Sequence, residues 1–266
     1  MKKKSTKKNQ IVKIASDVTW TISEWTLGYL LVLFVIYIGS LFFLTNIGMS
    51  NQSFLVFTYP SSHFYMIVVG VSTAIYFMPT YVKLGVTRKN AFLGTVGGVF
   101  SSSLLLILAT VVISFIVQGI ISIFSISLEW ESSLFNTLMG VSEQIPAQEY
   151  QALFGDSLLA VINRGLITFL TYWVSLALHI SVGWLMSTGF YTGGFLRGIL
   201  TVLGGLIIIS VNQVFWGEAI MSILPQFSFF SENFLNWLLG FVVAIALTIF
   251  ALAMTRNLTR IMTIML

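Results

Sequence analysis

Apolar residues run through this chain in long uncharged stretches, divided by short polar breaks. Six stretches reach or approach the roughly 20 residues that cross a bilayer as a helix. They cover about 27–44, 63–81, 91–124, 158–186, 198–215 and 234–254. The third is 34 residues long. At 1.5 Å per residue that exceeds one crossing, so it must tilt strongly, project into the cytoplasm or bend near Gln118-Gly119. Ahead of the first stretch, Ile11, Ile14, Ala15, Val18, Ile22 and Trp25 recur at three- and four-residue spacing, with Lys13, Ser16, Asp17 and Glu24 over much of the other face. An amphipathic helix of this kind, with Trp20 and Trp25 at headgroup level, is predicted to lie along the inner membrane surface.

The breaks differ in character. Residues 45–62, with Asn46, Asn51, Gln52 and Pro60, are predicted to form an outer loop, and 187–197, with three glycines, an inner one. The longest polar insertion, 125–157, carries Glu129, Glu131, Glu143, Glu149 and Asp156 without a basic residue. Pro146 can open a short helix there. Residues 216–233 are apolar but broken by Gly217, Glu218, Pro225 and Glu232, which fits a re-entrant pair of short outer helices better than a crossing.

Composition narrows the class. Hydrophobic residues make up 57% of the chain and charged residues 8%, too few charges for a water-facing surface. Without cysteine there is no disulfide, thiol nucleophile or thiolate metal site. The net charge of +4 comes from uneven placement rather than from a nucleic-acid-binding face. Twelve of the 13 Lys and Arg fall on one proposed side: six before residue 14, then Lys83, Arg88, Lys89, Arg197, Arg256 and Arg260. Seven of the nine acids fall on the other, all except Asp17 and Glu24. Short loops rich in Lys and Arg stay in the cytoplasm. The pattern therefore predicts an all-α, multi-pass membrane protein, one transmembrane domain over 1–266. Tail and interface helix occupy 1–26, a six-helix bundle 27–254 and a second tail 255–266, with both termini cytoplasmic. Near an anionic leaflet each lysine of the first tail contributes roughly 1 kcal/mol of attraction.

Signals for catalysis are missing. Neither Lys83 nor Lys89 ends a glycine-rich phosphate loop. His63 and His179 lie in different spans without a His-Glu-x-x-His pattern, which argues for an interfacial His63 and a hydrogen-bonded bundle His179 rather than a metal pair. Paired membrane carboxylates are absent too, so the chain is not expected to be an enzyme or to carry a cofactor or metal. Arg164 stands about six residues into the fourth stretch. There it can snorkel outward, pair with Glu218 at an outer gate, or line a substrate path. Gly94-x-x-x-Gly98 and Gly194-x-x-x-Gly198 permit close helix approach.

The basic break Lys83-Leu84-Gly85-Val86-Thr87-Arg88-Lys89-Asn90 either sets topology alone or docks a cytoplasmic partner. Its Gly85-Val86-Thr87-Arg88 stretch resembles the Gly-x-[Ser/Thr]-Arg stretch between spans two and three of Gram-positive permease subunits of type-two ABC exporters (the ABC-2 permease family). The basic tail, interface helix, six spans and broken outer segment resemble the same family over nearly the whole chain, although the 125–157 insertion is longer than a minimal member needs. The resemblance implies that Lys83, Leu84, Gly85, Val86, Thr87, Arg88 and Lys89 form a coupling element. Its partner would be a separate ATP-binding cassette subunit that binds and hydrolyses ATP. It also implies pairing with a second permease, as a homodimer or heterodimer. The alternatives are a six-span immunity or binding protein without transport, and an ion-coupled transporter.

Overall fold

The computed structural model describes residues 2–46, 54–123, 158–216 and 234–261. All of its regular elements are helices: α1 (Lys2–Asn46), α2 (Phe54–Ser72), α3 (Met78–Lys83), α4 (Arg88–Ile123), α5 (Leu158–Trp216) and α6 (Phe234–Ile261). A single π turn, Thr73–Phe77, joins α2 to α3. Five helices are long and apolar enough to cross a membrane, through the windows Gln10–Leu41, Phe57–Lys83, Arg88–Val117, Phe169–Gln213 and Leu238–Arg260. The acidic insertion and residues 217–233 lie outside the described residues.

Burial differs from that of a water-soluble domain: beside an apolar core, large apolar side chains cover the outside and many hydroxyls lie inside. Leu27, Leu31, Phe64, Val112, Leu203 and Ile249 face outward, while Thr58, Ser62, Ser102, Thr110, Ser175 and Thr188 are buried. When the solvent is hydrocarbon, helices gain little from hiding Leu or Ile. Close approach at small residues and hydrogen bonds then count for more beside the apolar packing. The buried hydroxyls follow that rule, most of them bonding a carbonyl one turn back, as Thr110 does to Leu106 and Thr188 to Trp184. This is a membrane protein.

Three sequence expectations change. The amphipathic segment is not a separate surface helix, because residues 2–46 form one unbroken rod. Its apolar stripe, Ile14, Val18 and Ile22, is buried against α4, whose Gly94 and Gly98 leave room for it. A Cβ on Gly94 would sit 2.6 Å from the Ile14 side chain, and one on Gly98 2.6 Å from Val18. Second, helix α2 starts at Phe54 and runs through Pro60, so residues 54–62 are not loop. Their hydroxyls serve the bundle: Tyr29 donates to Ser61 Oγ at 3.0 Å, and Tyr29 stacks on Tyr65 with ring centroids 4.1 Å apart. Third, the inner loop at 187–197 shrinks to one residue. Helix α5 reverses at Gly194, with φ 67° and ψ −159°, and its two arms, 158–193 and 195–216, pack on each other. Thr201 Oγ1 donates to Met186 O across the hairpin at 3.2 Å. Helix α4 continues through Gln118-Gly119 without interruption, about 54 Å from end to end.

Along the bundle, α1 runs parallel to α4 and antiparallel to α2. The first arm of α5 runs parallel to α2, the pairs Tyr59–Tyr172, His63–Ser175 and Gly70–Ile180 succeeding one another in step. Gly70 and Gly183 form a seam in which backbone meets backbone. A Cβ on Gly70 would strike Ile180 O, and one on Gly183 would strike Ile67 O. Helix α6 returns so that its last turns meet the start of α4.

Candidate functional site

The α3–α4 connection is built from two caps. Leu84 N donates to Thr80 O at 3.1 Å, Gly85 N to Val82 O at 3.0 Å and Val86 N to Tyr81 O at 3.0 Å. The last two bonds, with Gly85 at φ 80°, define a Schellman termination, in which a glycine in the left-handed region folds the chain back over the final carbonyls. Val86 and Tyr81, the positions that this motif pairs, both pack against one core cluster. One residue later the next helix is capped. Thr87 Oγ1 accepts from Asn90 N at 3.4 Å while Thr87 O accepts from Ala91 N at 2.9 Å.

The side chains divide by role. Lys83, Leu84, Thr87, Arg88 and Lys89 are exposed, as is the Gly85 backbone, and Val86 is half-buried and anchors the turn. Leu84 is the most exposed apolar side chain of the connection, at 72%. Asn90 is buried and ties the connection to α1, donating through Nδ2 to Gln10 Oε1 at 2.9 Å. Arg88 Nη1 donates to Arg260 O at 2.9 Å, and the Arg256 guanidinium lies 5.4 Å from the centre of the Phe92 ring. The connection, the start of α4 and the end of α6 thus form one basic face at one end of the bundle. The only acids among the described residues are Asp17 and Glu24, both exposed on α1. Arg164 belongs to the first arm of α5, but its side chain and the whole of Glu218 lie outside the described residues, as does any contact between them.

A second polar cluster was not legible in the sequence. His63 and His179, read there as separate residues, touch at 4.4 Å between ring centroids. His63 Nδ1 donates to Tyr59 O at 2.8 Å, so in the neutral ring Nε2 accepts the Ser175 hydroxyl, also at 2.8 Å. His179 Nδ1 donates to Ser175 O at 2.7 Å. Ser175 therefore joins both rings, one through its hydroxyl and one through its carbonyl. Among the described residues no third His, Asp or Glu joins them, and no group of three such residues could hold a metal ion. The only signal in the chain was that both histidines lie in apolar helices, where an ionisable residue needs a partner.

Compared with known proteins, the chain matches no family model, no curated protein and no solved structure.

Proposed function

We propose that this chain is the membrane-spanning permease subunit of an ATP-driven exporter of the ABC-2 kind. It crosses the bacterial plasma membrane six times with both termini in the cytoplasm, the two arms of α5 counting as two crossings. Its partners are a cytoplasmic ATP-binding cassette subunit, which hydrolyses the ATP, and a second permease, identical or related. The observation that carries this proposal is the α3–α4 connection. It is short, glycine-locked and capped at both helices, and it displays Lys83, Leu84, Arg88 and Lys89 outward. A push on such a connection moves two long helices together, whereas a loose loop would absorb it.

Arg88→Ala tests the partner. Insertion should be unchanged, because the other basic residues of that face hold the orientation. Co-purification of the ATPase should fall, since truncating one member of a buried charge pair costs about 2–5 kcal/mol. Undiminished co-purification and undiminished transport-stimulated hydrolysis would reduce the connection to a topological marker. Topology has a clean test in a chain without cysteine. Ser132→Cys should react with a membrane-impermeant maleimide in intact cells and Leu84→Cys should not; labelling of Leu84→Cys from outside would reverse the orientation.

The His63–His179 contact favours one second reading, an ion-coupled transporter, because paired imidazoles within a membrane bundle can hold and release a proton. Transport in vesicles that follows an imposed pH gradient without ATP, and fails in His179→Gln, would select it.

A further inference from the structure

A crevice of about 110 Å³ opens on the flank of the bundle between α4, the first arm of α5 and α6. Phe100, Trp173, Ile245, Thr248, Ile249 and Leu252 line it. The indole N–H of the lining is already committed: Trp173 Nε1 donates to Ser103 Oγ at 3.1 Å and to Phe100 O at 3.3 Å. The Thr248 hydroxyl is turned into its own helix, donating to Ala244 O at 2.8 Å. The wall is thus preformed and presents no free polar group to whatever fills it. Ile249 is 62% exposed, so the crevice faces the surroundings of the bundle and not its interior.

Charge stands at one end only. Going along α6 from the crevice, Leu252 is followed one turn later by Arg256 and two turns later by Arg260. Arg256 is held over Phe92 and the Arg88 guanidinium on Arg260 O, so the backbone positions of three arginines meet where α4 begins and α6 ends. Neither α4 nor α6 contains an acid. From Arg256 to Ile245 is eleven residues along α6, about 16 Å. Half of a bilayer's hydrocarbon core is about 15 Å. The apolar slot and the arginines beyond it, on helices without an acid, together span about one leaflet and match a phospholipid in charge and in length.

We propose that this crevice binds an anionic phospholipid of the leaflet on the arginine side, one acyl chain lying along Leu252, Ile249 and Ile245 and the phosphate at Arg256 and Arg260. Basic pockets between membrane helices recognise acidic headgroups in this way, while the slot supplies the alignment that a bare surface charge does not. The binding is independent of ATPase coupling and of the export function proposed above.

The experiment is native mass spectrometry of the detergent-purified full chain, titrated with dioleoylphosphatidylglycerol or dioleoylphosphatidylcholine. Wild type should retain the phosphatidylglycerol preferentially. The double variant Arg256→Gln, Arg260→Gln should lose roughly five-fold of that preference for each arginine removed. The pair Arg256→Lys, Arg260→Lys should keep most of it, which separates lost charge from lost fold. Ile249→Trp, placed on an exposed position over the slot, should lower phosphatidylglycerol retention several-fold while both arginines remain. Equal retention of the two lipids by wild type, or an unchanged preference in the glutamine pair, overturns the proposal. So does an Ile249→Trp chain that retains lipid normally but changes from dimer to monomer, since the slot would then belong to a helix of a second copy.

Discussion

Two sets of glycines do opposite work in this molecule. At the α2–α5 seam, Gly70 and Gly183 sit in ordinary helix and matter because a side chain there would strike the neighbouring backbone. At the α3–α4 connection, Gly85 has nothing within 4 Å of where a Cβ would stand, and matters because its φ of 80° is one that L side chains rarely adopt. The first pair needs space and the second needs an angle. A seam made of backbone contact fails when anything is added, because neither helix can give without moving as a whole. An exposed turn accepts bulk and resists only strain, so its damage stays local. The seam can therefore hold the bundle together while changes at the connection stay local.

The largest effect should come from Gly183→Leu. Ile67 backbone atoms occupy the place of the new side chain, so α2 and α5 must separate. The cost should be about 3 kcal/mol or more, at the upper end of overpacking effects. It would be read as a lower melting temperature in detergent and loss of a single size-exclusion peak. Wild-type behaviour would mean the helices do not meet there. Gly85→Val comes next: strain of about 1–2 kcal/mol with the bundle intact, a small melting shift and faster amide exchange confined to 82–91. Gly85→Asn should recover most of it, because asparagine tolerates the left-handed region. If valine instead lowered stability as much as the seam variant, the distinction between space and angle would fail.

Thr87→Ala removes the cap of α4 and should cost about 1 kcal/mol, with the Asn90 and Ala91 amides exchanging faster. Ser175→Ala should be the mildest. It deletes the His63 hydrogen bond across the same seam, and such bonds within membranes average about 0.6 kcal/mol. A loss above about 2 kcal/mol would show that the seam rests on its polar cluster rather than on its glycines.

Local pattern carried much of this protein. Long apolar runs made helices that cross a membrane, since a segment in hydrocarbon must satisfy its own backbone hydrogen bonds. The break at 83–90 was legible from its charges, and the caps that close it act on residues three to five positions away. Gly94 and Gly98, one turn apart, were legible as a packing stripe for the same reason. Partners distant along the chain were not legible. Gly70 and Gly183 are single glycines with no mark that they face each other, and His63 and His179 acquire their contact only when α2 and α5 run side by side. Polarity misled at 54–62, which Asn46, Asn51, Gln52 and Pro60 drew into a predicted outer loop although Thr58 and Ser61 bond within the bundle, and amphipathicity misled at 11–25, where the apolar stripe found α4. In both segments the residue types state only that a polar or apolar surface needs a counterpart. Whether that counterpart is water, lipid or another helix depends on which helices are neighbours, and packing over the whole chain settles that.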